Sequence, residues 1–532
     1  MKAVRAFLLL SLTVSSAFVL AANSRPGKER QEAPPVRGAP ARRSAAEQHA
    51  ARYLERVRHD PALLLAFLQQ MPKGGDLHNH LSGAIYAESY LRWASDAGLC
   101  VDRTTFTLLQ APCDASGGKP AAAAALANPD FYAQVIDAWS MRDWNAARDS
   151  GHDHFFATFP KFELISDART GDMLAEVSSQ AARDHLAYLE LMFAPDQGAA
   201  IGLASRMDRE DAEFARMAER ADFEGLRRKL LPEMQGVLQA GRRNLDDYES
   251  RMHQELHCAS AQPEPGCRVT VRYLYQVLRG LTPAQVFAQI LTGFEMATHD
   301  VRVVGFNLVM PEDWHVPMRD FSLHMRMIDF LRRSYPKVHI ALHAGELAPG
   351  MVPPDGLSFH IRESVEVGHA ERIGHGVDVM HERDPIGLLQ EMAARNVAVE
   401  ICLTSNDVIL GVRGSEHPLP TYLRYHVPVA LATDDAGVSR SDITREYVRA
   451  VETYGFTYGE LKRMARTSLE HSFLPGASVW RNLGSATKVS ACAASAATER
   501  PSAACGRFLD ANERARLQWV EEGEFDRFER QF

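Results

Sequence analysis

The chain has 532 residues, 24% of them charged, and a formal net charge of −9. That length exceeds one small domain, although a single α/β barrel commonly runs past about 200 residues. A moderately acidic chain without a Lys/Arg stripe is a poor nucleic-acid binder, and its short basic runs, Arg227-Arg228-Lys229 and Arg242-Arg243, read as solvated helix faces.

The N-terminus joins a basic start, Met1-Lys2-Ala3-Val4-Arg5, to an apolar run from Ala6 to about Ala22 that ends Val19-Leu20-Ala21. Residues 1–22 therefore read as a signal peptide, and 23–45, rich in Arg, Pro, Ala and Glu without period, as a disordered leader. No other stretch stays apolar for the ~20 residues of a membrane span. Export to a periplasm or out of the cell permits disulfides. Cys100/Cys113, Cys258/Cys267 and Cys492/Cys505 each bracket a short segment and are expected to pair. Cys402 is left over, as a buried small hydrophobe within Val397 to Leu403.

Helical spacing runs from Ala46 to Gln70. Eight strands are predicted next, at about 75–80, 185–193, 269–278, 301–308, 337–343, 371–375, 397–403 and 427–433. Helical patterns at 281–299, 321–334, 384–395 and 440–453 separate several of them. Eight strand-helix units predict a closed (β/α)8 TIM barrel over 46–484, with its chemistry at the C-terminal ends of the strands. The gap after the first strand is too long for one crossover and predicts a helical insertion at about 95–170 that roofs the rim. Residues 485–532 form a C-terminal extension.

Polar clusters close four of these strands: His78-Asn79-His80 the first, His343-Ala344-Gly345-Glu346 the fifth, His375 the sixth and Thr433-Asp434-Asp435 the eighth. Residues two apart on a strand share a face, so His78 and His80 can aim at one ion. With His343 and Asp434 they make the nitrogen and oxygen donor set of a catalytic zinc that keeps a position open for water. No close double-CxxC spacing supports zinc through thiolates. His375 is placed to orient that water and take its proton, and Glu346, not spent on metal, to act as a general acid/base. Asp435 can meet a substrate donor or a protonated ring nitrogen. Ser405-Asn406-Asp407 is expected to end the seventh strand and line the pocket.

Met71-Pro72-Lys73-Gly74-Gly75-Asp76-Leu77-His78-Asn79-His80-Leu81, His343-Ala344-Gly345-Glu346, Arg372-Ile373-Gly374-His375-Gly376 and Thr433-Asp434-Asp435 together resemble the adenosine deaminase family. The Met-Pro-Lys-Gly opening, leader, paired cysteines and insertion resemble its secreted, growth-factor-like branch. The resemblance covers about 71–450 and implies a barrel of the metal-dependent hydrolase type. It implies one Zn2+ per chain on His78, His80, His343 and Asp434, with Glu346 protonating the purine ring nitrogen beside the attacked carbon. His375 would position and deprotonate the water, and Asp435 would bind the imidazole side of the purine. The implied reaction turns adenosine, and 2'-deoxyadenosine, into the 6-oxopurine nucleoside and ammonia.

Two positions depart from the family pattern. Ser82, followed by Gly83, stands where the family commonly has an acid that contacts ribose, and Met310 where it often has a glycine whose N–H meets a purine nitrogen. The expected partner is a small purine nucleoside, with no nucleic acid and no membrane span, and a homodimer is left open. The competing readings are a zinc-dependent deaminase of another aminopurine or modified nucleoside, and an extracellular binding or growth-factor-like protein on an inactive barrel.

Overall fold

A computed structural model describes residues 44–497 and 499–532. The signal peptide and nearly all of the leader lie outside the described residues. Ser44 caps the first described helix, Ala45–Val57, by accepting from the Glu47 N–H. The single helical run read over Ala46 to Gln70 is in fact two helices, the second being Pro61–Gln70. Asp60 accepts from the N–H groups of Ala62 and Leu63, and Pro61 takes the first helical position, where a missing N–H costs nothing.

Eight parallel strands follow in sequential order: β1 Gly75–His80, β2 Tyr188–Phe193, β3 Thr270–Leu278, β4 Val303–Val309, β5 His339–Ala344, β6 Arg372–His375, β7 Ala398–Ile401 and β8 Val429–Leu431. They form a nearly closed (β/α)8 barrel. Closure runs between the ends of β1 and β8, where the Asp434 N–H donates to the His78 carbonyl at 2.9 Å and the His80 N–H to the Asp434 carbonyl at 3.2 Å.

Period-two alternation explains the layers. On β2, Leu189 and Leu191 face the surrounding helices in the main apolar core, while Met192 joins Leu274, Val309, Ala341 and Phe473 in a smaller cluster. A polar lock lies inside the barrel as well: Arg372 on β6 binds Glu190 on β2 and Glu400 on β7, each at 2.5 Å and all fully buried. Phe473, past the last barrel helix, lies 3.7 Å under the Arg372 guanidinium and donates its N–H to Glu190.

The β1–β2 connection carries a two-stranded ribbon, Cys100–Val101 with Leu108–Leu109, and a series of helices. It reaches other strand exits: the Met141 N–H donates to the Val438 carbonyl, and His152 pairs with Asp313 at 3.0 Å. The β2–β3 connection is also helical, with Ala199–Glu210, Ala212–Glu219, Phe223–Leu230 and Gln235–Glu255, the last two carrying the basic runs Arg227-Arg228-Lys229 and Arg242-Arg243 that the sequence marks as helix faces. The helix expected over 321–334 begins at His315, because Pro317 sits in its first turn, where no N–H donor is required. At the C-terminus, helix Glu513–Glu529 packs on helices Ala45–Val57 and Tyr458–Glu470. Disulfides join Cys100 to Cys113, Cys258 to Cys267 and Cys492 to Cys505, and Cys402 is free and buried. No described helix is long and apolar enough to cross a membrane.

Candidate active site

The strand ends at the barrel mouth bring together two donor sets that share Asp434, one of His78, His343, His375 and Asp434 and one of His80, Asp434 and Asp435, each with its ligand atoms within 4.8 Å of one another; the first holds His375 where the sequence suggested His80. His78 Nε2 lies 3.0 Å from His343 Nε2, and His80 Nε2 lies 3.1 Å from it. Asp434 Oδ1 is 3.4 Å from His78 Nε2 and 3.3 Å from His80 Nε2. A tetrahedral ion with bonds of about 2.0–2.2 Å has donor-donor edges of about 3.3–3.6 Å, close to these four separations.

Each of the four is aimed by a partner behind it. Glu400 holds His78 Nδ1 at 2.7 Å, and Asn307 Oδ1 holds His343 Nδ1 at 2.9 Å. Gln276 Oε1 lies 3.4 Å from His80 Nδ1, and the Ser405 hydroxyl donates to Asp434 Oδ2 at 2.6 Å. An acceptor at Nδ1 keeps the proton there and leaves the Nε2 lone pair free for a metal. Burial, with His78 and His80 beside it, pushes the His343 pKa well below the usual histidine value, which keeps this ring neutral. Burial alone would raise Asp434, but its hydrogen bonds with His78 and His80 outweigh it and hold the carboxyl well below the usual range. The chemistry of this set fits a divalent ion of zinc type.

Glu346 is presented by a tight turn. Gly345 adopts φ +73°, and a Cβ there would fall 2.5 Å from an Asp378 carboxylate oxygen, so glycine is required. The N–H groups of Gly345 and Glu346 both donate to the buried Glu312 carboxylate, at 3.1 and 2.9 Å. Burial would raise Glu312, yet His360 and Arg279 beside it bring its pKa down to about 2. Burial pushes Glu346 well above the usual carboxylate range, with Asp434 and Glu312 adding to the shift. A buried carboxyl that keeps its proton at neutral pH can donate it. Its Oε1 lies 3.7 Å from His375 Nε2.

Asp435 packs against Gly83, where a Cβ would lie 1.5 Å from Oδ1, and burial together with Asp434 pushes its pKa well up. Ser82 begins the turn after β1, where its carbonyl accepts from the Tyr90 hydroxyl. Met310 follows β4 at φ +88°, a conformation that favours glycine. Arg279 Nε donates to the Met310 carbonyl at 3.0 Å, and its Nη1 to the His343 carbonyl at 3.2 Å, which ties the Met310 turn to a donor residue. His375 and Asp434 also have positive φ, +68° and +60°. Backbone held in sparse regions clusters at functional sites because the surrounding packing over-determines it.

Strand β7 is shorter than expected. It ends at Ile401, and helix Leu403–Leu410 starts at once, so Ser405 and Asn406 lie on that helix rather than on the strand. Glu400, Asn307, Gln276 and Glu312 went unread in the sequence. The available signal was a polar residue inside an apolar strand, as in Val397-Ala398-Val399-Glu400-Ile401 and Gly305-Phe306-Asn307-Leu308.

Residues 247–485 match the family model described as "Adenosine deaminase". That segment of the chain is similar to the adenosine deaminase family. An adenosine deaminase of Escherichia coli strain SE11 is 36% identical over 137 residues, which are 26% of this chain and 38% of that protein. One of Shewanella loihica is 38% identical over 136 residues, 25% of this chain and 38% of that protein. The chain thus matches well under half the length of these curated relatives. Among solved structures, an adenine deaminase from Arthrobacter aurescens is 17% identical with a TM-score of 0.48, covering 76% of this chain and 94% of that one. The family is metal-dependent.

Proposed function

We propose that the protein is an exported, zinc-dependent aminohydrolase that converts adenosine, and 2'-deoxyadenosine, to the 6-oxopurine nucleoside and ammonia. The observation that carries this reading is the gathering of His78, His80, His343 and Asp434, with neighbouring donor atoms 3.0–3.4 Å apart, beside Glu346, a carboxyl that burial pushes well above the usual range. His78, His80, His343 and Asp434 would hold one Zn2+. What the ion supplies when bound is a water whose pKa is lowered towards about 7, a nucleophile at neutral pH.

The rest falls to side chains. Glu346 gives its proton to the ring nitrogen beside C6 as oxygen adds there, so negative charge does not build up on the purine. His375 faces the same space and orients the attacking water. Asp435 meets the imidazole side of the base. One C–O bond forms and the exocyclic C–N bond breaks; of the two protons of the added water, one leaves with the amino group as ammonia and the other restores the proton that Glu346 gave to the ring nitrogen.

Ser82 and Met310 favour a second substrate reading within the same chemistry, another aminopurine or modified nucleoside, because they replace an acid and a glycine expected to meet ribose and base. The three disulfides fit an oxidising compartment and the secreted branch.

Adenosine, 2'-deoxyadenosine, adenine and an N6-methylated nucleoside should be compared for release of ammonia, or of methylamine from the methylated one, and for loss of the adenine absorbance band. Turnover of adenosine that is abolished by chelation and restored by Zn2+ is the expected result. Turnover of another purine alone replaces the substrate, and binding without release of ammonia or methylamine from any of them, in zinc-loaded protein, replaces the enzyme reading with a binding one.

A further inference from the structure

A chain of hydrogen bonds behind His375 has only one consistent assignment of donors. It begins at the Leu419 backbone N–H, which can only donate and points at His417 Nδ1 at 3.1 Å. His417 Nδ1 is therefore an acceptor, and the proton of this buried ring sits on Nε2, 3.0 Å from Asn406 Oδ1. With its oxygen taken, Asn406 turns its Nδ2 to His375 Nδ1 at 3.1 Å and donates to it. His375 Nδ1 thus carries no proton. All three side chains are essentially excluded from solvent, so water does not interrupt the chain.

We propose that Asn406 and His417 are positioning residues that lock His375 as its Nε2–H tautomer, so that His375 faces the reacting centre as a hydrogen-bond donor rather than as a metal ligand or a resting base. His375 Nε2 is buried, has no hydrogen-bond partner among the described residues, and lies 3.7 Å from Glu346 Oε1. A ring bound to metal through Nε2 would have to place its proton on Nδ1, where the Asn406 N–H already stands. The same chain therefore selects His80 over His375 as the fourth ligand beside His78, His343 and Asp434. In the reaction the N–H holds the attacking oxygen and the oxyanion character that develops on it, a donor role that needs no proton removal. This role in turnover rests on the deaminase reading; the tautomer does not.

Long-range 1H–15N correlation spectra of zinc-loaded, 15N-histidine-labelled protein report which ring nitrogen carries the proton, with His375→Gln identifying the signal. The expected wild-type result is an Nε2–H ring at His375. Asn406→Asp offers an acceptor where an N–H stood, and should switch His375 to the Nδ1–H form while lowering kcat by at least about 10²-fold with little change in KM. His417→Gln, whose amide can still donate to Asn406, should keep the wild-type tautomer, and His417→Leu should let the Nδ1–H form appear. An Nδ1–H ring in the wild type, or no change of tautomer in either Asn406→Asp or His417→Leu, overturns the proposal. A correct tautomer switch in a protein that deaminates nothing would sink the deaminase reading alone, whereas ammonia release by a protein with an Nδ1–H His375 would sink only this one.

Discussion

Glu346 and Ser405 act on the same few atoms in different ways, and their substitutions separate proton supply from metal holding. Glu346→Gln keeps the size of the side chain and its hydrogen bonding but cannot deliver a proton. The variant should fold, keep its zinc, and lose at least about 10²-fold in kcat with comparatively little change in ground-state binding. Paired zinc analysis and steady-state kinetics measure both parts; near-normal kcat would remove Glu346 as the acid. Ser405→Ala deletes the 2.6 Å hydrogen bond that fixes Asp434 Oδ2. Its expected effect is a loss of about 10–100-fold in zinc affinity, read by competition with a chelating dye, because a partner behind a ligand tunes both its aim and its basicity. Unchanged affinity would mean that the β1–β8 closure bonds alone orient Asp434.

Among the elements, the C-terminal helix Glu513–Glu529 bears directly on how β1 is held. Glu521 on this helix accepts from the Gly74 N–H at 2.8 Å, immediately before β1. Burial pushes its pKa up to about 8. The folded chain keeps this proton to about pH 8, while the unfolded chain releases it near the ordinary glutamate value of about 4.3. The native state binds more protons across that window, so this group makes the fold less stable as pH rises through it. Glu521→Gln, whose amide oxygen can still accept from Gly74, should gain stability relative to wild type at pH 8 and not at pH 4. Denaturant unfolding at the two pH values is the test, and an equal effect at both would show that the fold does not raise the Glu521 pKa. Helix boundaries show the limits of pattern: Asp60-Pro61 and Pro317 are ordinary first-turn signals, but spacing alone merged one pair of helices and began another helix late.

At the scale of the whole molecule, the pairing of six cysteines within short stretches pins three helical connections or extensions, one after β1, one after β2 and one beyond β8. Non-reducing peptide mapping should return Cys100–Cys113, Cys258–Cys267 and Cys492–Cys505, with Cys402 labelled by a thiol reagent only after unfolding, since it is fully buried. A crosslink through Cys402, or its labelling in the native protein, would contradict this arrangement.

Much of the barrel was legible because period-two apolar runs bounded by turns carry strand identity locally. His78, His80, His343, His375, Asp434 and Asp435 could be read as candidates because each polar cluster closes such a run, and strand ends on one face of a parallel barrel converge on one mouth. Glu400, Asn307 and Ser405 could not be assigned to their partners in this way, since each acts on a residue 322, 36 and 29 positions away in the chain and only closure of the barrel brings them together. The separations among the donor atoms, the upward shift of the Glu346 pKa and the hydrogen-bond partners of the His375 ring likewise depend on tertiary structure. Local sequence specifies which residue types end a strand, whereas donor geometry, desolvation and hydrogen-bond direction depend on what packs against them from distant parts of the chain.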